Sequence, residues 1–90
     1  MLKVRFGAKF KKDYKTIIKR GYNPELLEKV ILLLREEKPL PEKYEDHPLR
    51  GNYGGHRECH ITPDWLLIYK VEKDILTLSL TRTGSHSDLF

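Results

Sequence analysis

The side chains best suited to chemistry in this sequence are three histidines, His47, His60 and His86, with Asp64 and Arg82. Together they match the needs of metal-free RNA cleavage. Attack of a ribose 2′-hydroxyl on the adjacent phosphate needs a base for that proton, an acid for the leaving 5′-oxygen and a cation for the charge developing on the phosphate. Histidine performs either proton transfer near neutral pH, each worth about 10²–10⁴-fold, and arginine binds phosphate oxygens bidentately. Taken singly, each residue has a plainer use. His47 can bond a turn, Asp64 after Pro63 can close one, Arg82 can pair with Glu58, and Trp65 and Phe90 can fill a core. Composition alone leaves RNA cleavage as one idea among several.

A metal centre is the competing use of the same residues. His56, Cys59 and His60 form an H-x2-C-H cluster with His86 as a fourth donor. If this segment is a strand, the period of two turns Cys59 away from both histidines, whereas a tetrahedral site needs four convergent ligands. No metal and no cofactor are therefore expected. Cys59 at an inward position is a buried, inert thiol rather than a nucleophile.

The elements that must position these groups follow from periodicity. Leu2 to Phe6 alternates apolar and basic residues and reads as a short strand. From Ala8 to Arg20 the period changes, with Phe10, Tyr14, Ile17 and Ile18 on one helical face and Gly21 as the stop. The outer face of that helix is basic, carrying Lys9, Lys11, Lys12, Lys15, Lys19 and Arg20 against Asp13 alone. Asn23-Pro24-Glu25 is a helix start, and the stripe Leu27, Val30, Ile31 and Leu34 carries the second helix to about Glu37, before Pro39. Residues 8–38 thus form an αα-hairpin.

Residues 39–55, PLPEKYEDHPLRGNYGG, hold three prolines and three glycines and read as a long loop carrying His47. Three strands follow, Arg57 to Ile61, Trp65 to Val71 and Ile75 to Thr83, joined by turns at 62–64 and 72–74. The expected fold is α+β: an N-terminal strand, the αα-hairpin, then a three-stranded antiparallel meander, forming one sheet with the helices on one face and the other face open. In the first meander strand His56, Glu58 and His60 share the open face, while Arg57, Cys59 and Ile61 face the helices. Strict alternation would align Arg82 with Leu76, Leu78 and Leu80, so it must lie past the core edge or beyond a bulge to reach the open face.

Ninety residues without a composition break make one domain spanning 1–90. The apolar runs are too short to cross a bilayer, no secretory signal follows Met1, and a lone cysteine excludes an internal disulfide, which together imply a cytoplasmic protein without a membrane partner. The net charge of +4 favours an anionic partner.

The motifs DHPLRGNY (46–53), RECHITPDWLLIYK (57–70) and RTGSHSDLF (82–90) resemble the YafQ-like branch of the RelE/ParE superfamily of bacterial toxins, over most of the chain. The resemblance implies the toxin of a type II toxin–antitoxin system. Such a toxin is a ribosome-dependent mRNA endonuclease that cuts in the ribosomal A site without a metal and is restrained by an acidic antitoxin. Carried over by position, it implies active-site roles for His47, His60, Asp64, Arg82 and His86. It also implies RNA contacts from Trp65 and Phe90, while Arg57 contacts RNA or the antitoxin, or pairs with a neighbouring carboxylate. His86 would serve in proton transfer, Arg82 on the scissile phosphate and Phe90 against a base. Two rival readings remain: a ParE-like gyrase inhibitor on the same fold, and a nucleic-acid-binding domain without catalysis. Neither needs three proton-transfer groups.

Overall fold

In the computed structural model, which describes residues 1–90, the chain forms five strands and three helices in one layered unit. Strand β1 (Lys3–Phe6) leads into helix α1 (Ala8–Lys19), then α2 (Pro24–Arg35). A short strand β2 (His47–Pro48) precedes β3 (Arg57–Thr62), β4 (Trp65–Glu72) and β5 (Thr77–Gly84), and a last helix α3 (His86–Leu89) closes the chain. No helix is long and apolar enough to cross a membrane.

The sequence signals act locally as expected. Asn23 caps α2 by accepting the Glu25 amide at 3.0 Å, and Gly21 takes φ 83° after α1. Phe10 and Ile17 from α1, with Leu27, Val30 and Leu34 from α2, are buried against Cys59, Leu67, Tyr69, Leu78 and Leu80 of the sheet. Ile18 stays outside this core at 40% exposure, because the buried stripe is narrower than the apolar one.

Four features depart from the expected architecture. The sheet is mixed and five-stranded in the order β1-β5-β4-β3-β2, with β1 parallel to β5 and the antiparallel meander at its centre. Strand β2 lies inside the segment expected to be loop, paired to β3 through His47↔Glu58 and Pro48↔Arg57. Nor is the second face of the sheet open. Leu89 of α3 packs with Leu66 and Ile68 on that face, joined by Leu49 and Tyr53. The run Trp65–Tyr69, buried at every position, is what a central strand covered on both faces requires. At the start of β5, Lys73–Ile75 form a turn of 3₁₀ helix and Leu76 adopts φ 48°, so the strand begins at Thr77 rather than Ile75.

Candidate active site

Residues paired across antiparallel strands point to the same face, so the register alone lays out the second face of the sheet. One row runs His47, Glu58, Ile68, Arg82 across β2, β3, β4 and β5. At a strand spacing of about 4.8 Å the row spans roughly 14 Å between its end Cα atoms. The next row is His60, Leu66, Gly84, and His86 follows two residues beyond it. Arg82 reaches this face through a bulge: Tyr69 opposes Leu80 while Ile68 opposes Arg82, leaving Thr81 as the extra residue.

At one end of the row two imidazoles converge on a buried carboxylate. Glu58 is 6% exposed, and its Oε1 lies 3.4 Å from His47 Nε2 and 3.7 Å from His60 Nε2. The two rings are 6.3 Å apart between centroids. His47 Nδ1 lies 2.7 Å from the Glu45 carbonyl, which accepts its proton and fixes Nε2 as the nitrogen facing Glu58. Glu45 can offer that carbonyl because it turns the chain at φ 46°. His60 Nδ1 lies 3.5 Å from the Pro63 carbonyl and 3.9 Å from Glu45 Oε2.

The segment bearing His47 is anchored from the opposite face. Asp46 accepts from Arg57 Nε at 3.1 Å and Nη2 at 2.9 Å and from the Tyr69 hydroxyl. Burial and then the Asp46 carboxylate push the Tyr69 phenol upward, so it remains a donor. Arg57 therefore stands on the helix side, paired to Asp46, and does not join the histidines.

At the other end of the row Asp13 of α1 holds Arg82 by a two-pronged ion pair, Nε to Oδ2 at 2.7 Å and Nη2 to Oδ1 at 3.1 Å. The same carboxylate accepts the Thr83 amide at 3.1 Å. These bonds raise the Arg82 pKa further, so the guanidinium stays charged. Its Nη1 makes only a long bond, 3.4 Å, to the Tyr53 hydroxyl, which leaves that edge for a ligand.

The tail is built onto this arrangement. Ser85 and Asp88 form a reciprocal capping box for α3. Asp88 also takes a bidentate pair from Arg20 at the end of α1. Arg20 first, then the Ser85 amide, holds the Asp88 carboxyl well below the usual range. Gly84 has φ 154°, and a Cβ there would sit 3.0 Å from the Asp88 carboxylate. Helix α3 thereby carries His86 and the exposed Phe90, whose rings are 5.2 Å apart, with Phe90 6.0 Å from Tyr53.

Besides Arg57, one expected site residue falls elsewhere. Trp65 is 2% exposed, donates Nε1 to Thr83 Oγ1 at 2.8 Å and meets Tyr22 edge-on at 5.1 Å, so its ring has no free face for a base. Asp64 is exposed in the two-residue turn between β3 and β4, near the His60 end of the face. Trp65→Phe is expected to cost about 1–2 kcal/mol in urea unfolding, since it removes the donor to the buried Thr83 hydroxyl, with RNA affinity unchanged. Conversely, Glu58, Asp13, Asp46 and Tyr53 were not singled out by sequence. Only Glu58 left a signal, as the carboxylate sharing the period-two face of His60. Cys59, pushed up to about 12 chiefly by burial, is no nucleophile. In their observed positions no three His, Cys, Asp or Glu side chains are arranged to hold a metal ion.

A helical hairpin over one face of a small mixed sheet is an architecture shared with solved bacterial toxins. A metal-bound toxin from Helicobacter pylori is 49% identical, with a TM-score of 0.94 and full coverage of both chains. The Escherichia coli DinJ–YafQ complex provides a chain 37% identical, with a TM-score of 0.90 over 100% of this chain and 99% of that one. Among curated proteins, the mRNA interferase toxin YafQ of E. coli K12 is 39% identical over 88 residues, covering 97% of this chain and 94% of the relative. Residues 2–90 match the family model described as the bacterial toxin of type II toxin–antitoxin system, YafQ, and the chain belongs to that family.

Proposed function

We propose that this chain is an mRNA endonuclease acting in the ribosomal A site, the toxin of a pair whose second member is an acidic antitoxin. The observation that carries this is the sheet face itself, where His47 and His60 flank buried Glu58, Arg82 ends the row of His47 and Glu58, and α3, packed on the same face, carries His86. His60 and Gly84 are separated by one strand, about 10 Å between Cα atoms, and His86 follows two residues after Gly84. One end, His60 with Glu58 and Asp64, and the other, His86, take the 2′-hydroxyl proton and return one to the 5′-oxygen. The 2′-oxygen bonds to phosphorus as the P–O5′ bond breaks, giving a 2′,3′-cyclic phosphate and a 5′-hydroxyl. Arg82 neutralises the charge gained on the phosphate, Phe90 stacks against a base, and His47 serves as a second proton-transfer or phosphate-binding group.

The test is cleavage of a defined mRNA on programmed ribosomes with EDTA present. A 2′,3′-cyclic product from wild type supports the metal-free mechanism. Cleavage abolished by EDTA and restored by a divalent cation would reassign His47, Glu58 and His60 to metal ligation, in line with the metal-bound H. pylori relative. No cleavage, with gyrase inhibited instead, would favour the ParE-like reading.

The antitoxin has a matching seat. A groove of about 710 Å³ between α1 and α2 is floored by Phe10, Tyr14 and Ile31, with half-exposed Phe6 and Leu32 at its edge. Lys11, Lys15 and Arg35 rim it against Glu28 alone, a charge pattern suited to an amphipathic helix with acidic flanks. Leu32→Asp is expected to weaken antitoxin binding at least tenfold by calorimetry while the free toxin cleaves as wild type. Unchanged binding would place the antitoxin elsewhere.

A further inference from the structure

One row toward the other end of the sheet from Arg82 lies a second cationic feature that the cleavage chemistry does not use. Arg5 of β1 pairs with Ser79 of β5, and Ser79 pairs with Lys70 of β4, so these three share the face of Ile68 and Arg82. With Lys9 and His56 they line a cleft of about 360 Å³. Its one carboxylate, Glu72, lies 3.9 Å from Lys70, which leaves Arg5 and Lys9 without an ion-pair partner.

Two further observations point to an anion there. The hydroxyl of Ser79 is shielded from solvent yet bonds to nothing in the protein. Gly7 and Ala8, which also line the cleft, begin α1, whose first turn has neither a side-chain cap nor an acidic residue. Amides left free at such an end favour a negative group. The backbone there is held in place: Gly7 donates to the Leu80 carbonyl at 2.9 Å, and a Cβ on Gly7 would meet that oxygen at 2.9 Å.

We propose that this cleft is a phosphate subsite for the RNA strand being cut, holding a backbone phosphate next to the scissile one. The inference rests on the endonuclease reading and extends it to how the strand is tracked. Lys70 and Ile68 are two residues apart on β4, so the cleft row lies about 7 Å from the Arg82 row, one repeat of the pleat. That step is comparable with the separation of successive phosphates on an extended single strand. Arg82 would grip the phosphate that reacts, and Arg5 with Lys9 its neighbour, fixing the direction in which the strand crosses the sheet.

The test uses the double variant Arg5→Ala/Lys9→Ala, both exposed positions, with Lys29→Ala on α2 as a charge control. Two readouts are compared: the salt dependence of binding to a free oligonucleotide made uncleavable by 2′-deoxy substitution at the cut, and kcat and KM on programmed ribosomes. The expected result is an affinity loss of about tenfold and a salt slope shallower by about 0.7 for each phosphate no longer neutralised. The loss falls on KM more than on kcat, Lys29→Ala behaves as wild type, and Arg5→Lys/Lys9→Arg recovers binding. An unchanged slope and KM with wild-type cleavage intact would overturn the subsite alone. A KM rise on ribosomes with no change on the free oligonucleotide would overturn the strand assignment and give the phosphate to ribosomal RNA. Wild type that neither binds nor cuts RNA would sink the endonuclease reading, and the subsite with it.

Discussion

Arg82→Ala is expected to slow single-turnover cleavage on programmed ribosomes by about 10²–10³-fold, the usual loss when a preorganised charge aimed at the transition state is removed. The magnitude follows from how Arg82 is held. Two of its nitrogens are committed to Asp13, which fixes the plane of the guanidinium, and Nη1 is left toward Tyr53 and the sheet face. A lysine restores the charge but not the fork, and its ammonium would be drawn to Asp13. Arg82→Lys is therefore expected to recover little of the rate. Removing the arginine also strands a carboxylate that is only 15% exposed, so part of any loss would come from instability. The double variant Asp13→Ala/Arg82→Ala removes both charges and separates the effects. Near-wild-type cleavage by that variant, folded by circular dichroism, would rule Arg82 out as the phosphate-binding cation.

The second large effect is expected at the proton-transfer ends. His60→Ala and His86→Ala should each lower kcat by about 10²–10⁴-fold while salt-sensitive RNA binding persists. His86 is exposed on α3, so its loss costs the fold little, and the variant should express freely where wild type without its antitoxin arrests growth. His60 is half-buried beside Glu58, and the informative partner variant is Glu58→Gln. It keeps the shape and removes the charge that both imidazoles face. If the histidines act together on one phosphate, the double histidine variant should fall well short of the product of the single losses. A growth arrest undiminished by His86→Ala would take His86 out of the mechanism. A His60→Ala protein that cleaves normally would reduce the His47–Glu58–His60 cluster to a structural element.

The contrast between Trp65 and Glu58 shows what a linear reading can and cannot assign. In the motif PDW, tryptophan is equally consistent with a base platform and a core residue. Packing on the helix side of the sheet, edge-on to Tyr22 and with Nε1 donated to the buried Thr83 hydroxyl, makes it the latter, and Tyr22 and Thr83 are brought to it only by the folded chain. Glu58 shares the face of His60 by simple alternation. Its role as the shared partner of two imidazoles depends on β2 bringing His47 alongside. That strand is two residues long in a segment rich in proline and glycine, with no periodicity of its own, and it exists because β3 offers it an edge.

The sequence by itself determined the local structure: two amphipathic helices set by their period and caps, three meander strands set by alternation and turns, and the shared face of Glu58 and His60. These depend on interactions within a few residues, which composition and spacing encode directly. Tertiary structure decided the rest. Asp13 meets Arg82 across 69 positions, Arg20 meets Asp88 across 68, and Tyr69 reaches Asp46 across 23. Pairings of that separation leave no periodic trace, because either partner alone is an ordinary surface charge or core aromatic. Only the packed sheet and its bulge at Thr81 give Arg82 its direction and the tail its place beside it.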